Sequence, residues 1–284
     1  MNKQQRFRLP IILAILLVTL LGGGHFASSS FGQATKTQGN ISLFEKAKHP
    51  NAKYIASYSN YPTSQIAFEG FPDSIQKKYG KDNFRYNGHG AFIINNNQTD
   101  LDANVSSAPY AQNTVDSLGR ASVANALVNK TSRQYRNREQ TNNGATNWAP
   151  PGYQQRSNLR GTYKYAYNRG HLLGYAIVGN ISGFDASESN QQNIVTETSW
   201  ANQAGSKDNT GQNYYEGLVR QAQDQNRTVR YRVTPVYEGN NQVPTGIQLE
   251  AKSSDMALQF NVYVPNVQGN IIINYANGAT TLRK

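Results

Sequence analysis

The stretch Tyr163-Lys164-Tyr165-Ala166-Tyr167-Asn168-Arg169-Gly170-His171-Leu172-Leu173-Gly174 decides how this chain is read. Tyr163, Tyr165 and Tyr167 alternate with Lys164 and Ala166, a period of two that predicts a strand. The strand runs into Arg169-Gly170-His171. Gly170 and Gly174 would let a bulky ligand come close to the backbone. Arg169 offers a rigid planar fork suited to phosphate. The chain holds four histidines. His25 lies in an apolar N-terminal leader, His49 in a polar tether, and His89 in the turn-like Tyr86-Asn87-Gly88-His89-Gly90. A lone histidine is commonly structural. One that follows Arg-Gly at a strand end, in a basic and aromatic chain, is a candidate for proton transfer near neutral pH.

Outward from this stretch the pattern alternates between strand and helix. Thr198 to about Ala204 and Gln212 to Gln225 read as helical, broken by turn residues from Gly205 to Gly211. Val229, Tyr231 and Val233 share one strand face, with Arg230 and Arg232 on the other. Leu258, Phe260, Val262 and Val264 repeat the device, and Ile271–Ile273 reads as a short buried run. Upstream, Asp116-Ser-Leu-Gly-Arg120 reads as a turn, with one or two helical turns following to Leu127. Residues from Asn129 to Arg160 form a long polar segment that interleaves bases and rings, among them Arg133, Tyr135, Arg136, Arg138, Trp148, Tyr153 and Arg160. That mixture suits phosphate contacts with base stacking, and equally a solvated loop. The whole reads as one α+β domain: strands, an irregular helical middle, then an antiparallel sheet.

The 284 residues include 28 Lys and Arg against 17 Asp and Glu, a formal net charge of +11. Lys3, Arg6 and Arg8 precede an apolar run from Leu9 to Leu21. That pattern predicts a signal peptide or membrane anchor over residues 1–27. A flexible tether follows over residues 28–52, then the folded domain over residues 53–284. Without the three leader cations the balance is 25 basic to 17 acidic, or +8. Such a surface is drawn to polyanions, whether nucleic acid or an anionic cell wall. No cysteine is present, which rules out disulfides, zinc–thiolate sites and a cysteine nucleophile. A cysteine-free exported chain fits a Gram-positive-type bacterium. The expected location is extracellular or the outer face of the cytoplasmic membrane, with membrane association through the N-terminal segment.

Asn168-Arg169-Gly170-His171 resembles the D-R-G-H signature of the DNA/RNA non-specific endonucleases, which are ββα-metal nucleases. The resemblance continues through Asn193-Ile-Val-Thr-Glu-Thr-Ser-Trp-Ala-Asn202-Gln203 and Asn213-Tyr-Tyr-Glu216, and upstream through Asp116-Ser-Leu-Gly-Arg120. It covers roughly residues 110 to 220 and is similar to the DNA-entry nucleases and secreted DNases of streptococci. It implies a ββα-metal core with a central antiparallel sheet flanked by helices. It also implies DNA, and RNA, as substrates, and 5′-phosphate products. The departure is Asn168 where many members carry Asp, which keeps the hydrogen-bonding capacity and loses a charge.

The residues suit that chemistry. His171 is the expected general base. Asn202 is the expected ligand of Mg²⁺, with Mn²⁺ as an alternative and with waters and phosphate completing the oxygen set. Glu216 is expected to hold metal-bound waters, and Arg169 to stabilise the charged phosphorane. Asn168 and Asn193 are expected supports, and Arg133, Arg136, Arg138 and Arg160 the nucleic-acid contacts. Each has a plainer explanation. Asn202 could cap a helix, Asn193 could pin a loop, and Glu216 could pair with Arg220 at i, i+4 for about 0.3–0.5 kcal/mol. No element for reading base edges is visible, which favours backbone recognition without sequence preference. The competing readings are a decayed nuclease that only binds nucleic acid and a merely basic wall-binding protein. A histidine–cysteine zinc site lacks the ligands.

Overall fold

The computed structural model describes residues 61–144 and 146–284. The leader, the tether and the start of the folded domain at residue 53 lie outside the described residues, as do His25 and His49. Among the described residues no helix is long and apolar enough to cross a membrane.

A seven-stranded antiparallel sheet is the frame, with spatial order β1-β2-β9-β8-β7-β4-β3. Its strands are β1 (Phe84–Tyr86), β2 (Phe92–Ile94), β3 (Tyr110–Val115), β4 (Ala121–Val128), β7 (Val229–Val236), β8 (Gly246–Ser253) and β9 (Gln259–Pro265). Val229, Tyr231 and Val233 are fully buried, as their period of two predicts. They pair with Val128, Ala126 and Ala124 of β4, and the helix α5 (Gln212–Asp224) covers this face with Tyr215, Val219 and Ala222. β9 is buried on both faces. Phe260, Val262 and Val264 join the main core, while Tyr263 faces a second cluster built on Phe71 and Phe92. Two short helices, α1 (Ser64–Glu69) and α2 (Asp73–Tyr79), which the sequence pattern does not announce, add Ala67 and Ile75 to that cluster.

Three expectations change. Residues 121–128 form strand β4, not helical turns. Alanines favour a helix locally, but β3 and β7 flank this segment and pair its backbone on both sides. The strand carrying His171 begins only at Tyr167, and Tyr165 stands exposed before it. In β10 (Ile271–Ile273) only Ile271 is buried, because the segment forms a small surface hairpin with β11 (Thr280–Leu282).

The two helices after residue 198 fall where their pattern places them. β5 (Tyr167–His171) and β6 (Ile194–Thr198) make a separate antiparallel hairpin, which runs directly into α4 (Ser199–Gln203). Between its strands lies the short helix α3 (Tyr175–Val178). Side chains of the segment after β9 stitch this unit to the main sheet. Asn266 Oδ1 accepts from Thr198 N at 2.7 Å, and its Nδ2 donates to Thr196 O at 3.0 Å. Gln268 Oε1 accepts from Trp200 N at 2.9 Å. Thr198 caps α4 by accepting from Ala201 N at 3.1 Å, the usual use of a threonine there.

Candidate active site

His171 ends β5, buried, with its Nε2 3.1 Å from Arg138 Nη2. A guanidinium only donates. Nε2 is therefore the acceptor, the ring proton is assigned to Nδ1, and the imidazole is neutral. Burial first, and then the charge of Arg138, push its pKa down to about 3, against hydrogen bonds with the backbone of Ala186, Ser187 and Arg169. Arg138 is held in turn. Its Nη1 donates to Ala186 O at 3.0 Å, and its guanidinium lies over the Tyr175 ring at 4.5 Å.

Carboxylates close the other side. Gln212, the first residue of α5, donates through Nε2 to the carbonyl of His171 and to Glu216 Oε1, the latter at 3.1 Å. Arg220 Nη1 reaches Glu216 Oε2 at 3.3 Å, so the i, i+4 pair anticipated in the sequence forms within the site. Arg220 is further anchored by Asn213 Oδ1 at 2.8 Å. Burial raises the Glu216 pKa, against the pull of Arg220, Gln212 and Arg138.

Glu197, which the sequence reading passed over, sits on β6 opposite Asn168. It is fully buried, and among the described residues neither carboxylate oxygen has a hydrogen-bond partner. Burial, then the charge of Glu216, push its pKa well up. Its one sequence signal is an acid inside the apolar run Ile194-Val195-Thr196-Glu197-Thr198. The two glycines that suggested room for a ligand make room for these acids. A Cβ on Gly170 would collide with Glu197 Oε2, and one on Gly174 would lie 2.7 Å from both Glu216 oxygens.

Asn202 lies near the end of α4, half buried, and its side-chain amide makes no hydrogen bond among the described residues. Among those residues no three His, Cys, Asp or Glu converge to cage an ion. The free amide oxygen of Asn202 on α4 and the two unpartnered carboxylate oxygens of Glu197 on β6 are all hard oxygen donors. Oxygen donors of this kind suit a hard divalent cation that keeps much of its water, Mg²⁺ above all.

The supporting residues are mostly structural. Asn168 Oδ1 accepts from Ser199 Oγ at 3.0 Å, tying β5 to the start of α4, a task a neutral amide performs as well as a carboxylate. Asn193 is fully buried and closes on Leu173, accepting from its N at 2.9 Å and donating to its O at 3.0 Å. Arg169 gives Nε to Trp148 O at 2.6 Å and lies 5.1 Å over the Tyr153 ring. Of the four arginines picked as nucleic-acid contacts, Arg138 is drawn into the site. Arg133 is bound to Asp224 at 3.1 Å. Arg136 and Arg160 are exposed.

A strand ending in a buried neutral histidine, a second antiparallel strand, and a short helix bearing a free asparagine amide define a ββα-metal nuclease. The family model for DNA/RNA non-specific endonucleases matches residues 88–279, and the chain belongs to that family. It is a metal-dependent nuclease that hydrolyses phosphodiester bonds. Among solved structures, the magnesium-bound NucA from Streptococcus agalactiae is 46% identical, covering 74% of this chain and 96% of that one, with a TM-score of 0.70. The metal-free NucA of the same organism is 45% identical over 74% and 95%, with a TM-score of 0.68. The Sda1 nuclease with bound zinc ion, 17% identical over 69% and 98% with a TM-score of 0.50, shares the fold.

Proposed function

We propose that the chain is an exported, Mg²⁺-dependent endonuclease. It cuts DNA, and RNA, without sequence preference, with His171 as general base, and leaves 5′-phosphate ends. Mn²⁺ serves as a substitute. The observation that carries the reading is the neutral His171, whose Nε2 lone pair is presented to a guanidinium donor at 3.1 Å. A depressed pKa keeps this imidazole unprotonated, as a base for water requires. Substrate binding draws Arg138 from Nε2 onto the phosphate, where Arg138 and Arg220 offset developing negative charge. This role, expected of Arg169, falls better to them, because they contact the His171–Glu216 cluster directly. Arg169, whose Nε is used by Trp148 O, holds a flanking phosphate.

Asn202 would ligate the cation, and Glu197 and Glu216 would accept hydrogen bonds from its waters. The bound ion supplies Lewis acidity and stabilises the leaving oxygen. The chain's own contribution is a buried base that is already neutral, with the carboxyl groups of Glu197 and Glu216 buried as well. Export to the extracellular side, with the leader as signal or anchor, is supported by the basic and apolar pattern of residues 1–27.

The test is degradation of a plasmid by the parent and by His171→Ala, in Mg²⁺ and in EDTA, with end-labelling of the products. Mg²⁺-dependent cutting by the parent alone, with 5′-phosphate ends, is expected. Binding without cutting would make the chain a decayed nuclease, and equal cutting by the variant would remove His171 from the mechanism.

A further inference from the structure

Buried polar atoms are almost always hydrogen-bonded, and each exception asks for a reason. Glu197, Gln212 and Tyr231 all carry such exceptions: both Glu197 oxygens, Gln212 Oε1 and the Tyr231 hydroxyl. Each of the three is coupled to Glu216, Gln212 by a hydrogen bond and the other two through its charge. Gln212 donates to it, and the Tyr231 hydroxyl feels the charges of Glu216, Arg220 and Glu197. Tyr231 belongs to β7 in the main sheet, remote in sequence from the hairpin, and is fully buried in the core. Its ring fills space that a phenylalanine ring would fill as well. A hydroxyl in that place without a partner among the described residues weakens the fold, and the charged groups that act on it are Glu216, Arg220 and Glu197.

We propose that Tyr231 is a positioning residue of the metal site, its hydroxyl donating through a water to the Glu197–Glu216 pair and aiming both carboxylates at the water shell of a divalent cation. The inference rests on the metal site proposed above and adds a residue from the sheet to it. It gives a reason for the unsatisfied polar atoms that side chains of β6, β7 and α5 carry. In this arrangement the sheet supplies the rear wall of the site, and the ββα unit supplies the ligand and base.

The test is Tyr231→Phe, which keeps the ring and removes one oxygen. Mg²⁺ binding is measured by calorimetry and by the Mg²⁺-linked rise in Tm, on the parent, on Tyr231→Phe and on Asn202→Ala. Tyr231→Phe is expected to bind Mg²⁺ about tenfold more weakly, at the lower end of what loss of an outer-shell partner does to metal affinity. Its Tm in EDTA should equal or exceed the parent's, and its activity should recover at high Mg²⁺. Parent-like Mg²⁺ affinity in Tyr231→Phe would overturn the proposal while leaving the metal site standing. A fall in Tm in EDTA would also overturn it, since the hydroxyl would then serve the fold. If parent and Asn202→Ala bind Mg²⁺ equally, the metal site itself is misplaced and the proposal falls with it.

Discussion

Arg138 Nη2 and His171 Nε2 lie 3.1 Å apart, and a permanent cation thereby occupies the one lone pair of the candidate base. The pairing has a measurable consequence for ionisation. With its pKa pushed down to about 3, the His171 ring should stay neutral through pH 5 in an NMR titration. Arg138→Gln should move the titration upward, yet still below the usual value of about 6.5, because burial is the larger cause. Titration near 6.5 in both proteins would contradict the geometry.

The same depression links stability to pH. A histidine whose folded pKa lies below its unfolded one contributes stability that is fully present above about pH 6.5 and lost as pH falls toward 3. Glu197 and Glu216, with raised pKa values, act in the opposite sense. A difference measurement therefore isolates the histidine. Between pH 6.5 and 4, His171→Asn should lose Tm less steeply than the parent, and parallel curves would reject the linkage.

Gly170 and Gly174 are fixed by the acids that pack on them. Gly174→Ala puts a methyl 2.7 Å from both Glu216 oxygens, which forces the carboxylate or the start of α3 to move. A loss of about 1–3 kcal/mol in stability is expected, as for other overpacked sites, together with a marked loss of cutting. Denaturant unfolding and the plasmid assay report the two effects. A parent-like midpoint with full activity would show that the site tolerates the shift.

Glu197→Gln removes a buried carboxylate that has no partner and a like-charged neighbour. Its Tm in EDTA should rise, while Mg²⁺ affinity falls about tenfold or more. If both quantities stay at the parent's values, Glu197 is a bystander.

Exposed arginines should act through backbone charge alone. Arg136→Ala and Arg160→Ala, assayed in EDTA to prevent cutting, should each weaken DNA binding alike across sequences. Each should also reduce the slope of log affinity against log salt by about one. An unchanged slope would leave that arginine outside the interface.

The sequence carried the local parts of this site and lost the distant ones. Arg169-Gly170-His171 and the helices after 198 and 211 announce themselves by motif, period and turn residues. Glu197 stood in the quoted motif, but its isolation follows from pairing with β5 and packing beneath Gly170, which no local pattern encodes. Arg138 was selected as a loop arginine in a polar stretch. Its partner, 33 positions away, was not readable. Residues 121–128 were misread because alanine speaks for helix until the strands on either side are known. Tyr231 was recognised as a core position, and only its neighbours in space give its hydroxyl meaning.

The stitch made by Asn266 and Gln268 has a bearing on the order in which the domain is assembled. His171 and Asn202 are both made before residue 203, but the side chains that fasten their unit to the sheet arrive more than sixty residues later in synthesis. β9, which inserts between β2 and β8, arrives late as well. A nascent chain that stops short of residue 266 has the chemical groups of a nuclease without the frame that sets them. The order of translation thus sets the chemical groups before the hydrogen bonds that hold them to the sheet, and the far end of the domain completes what the middle begins.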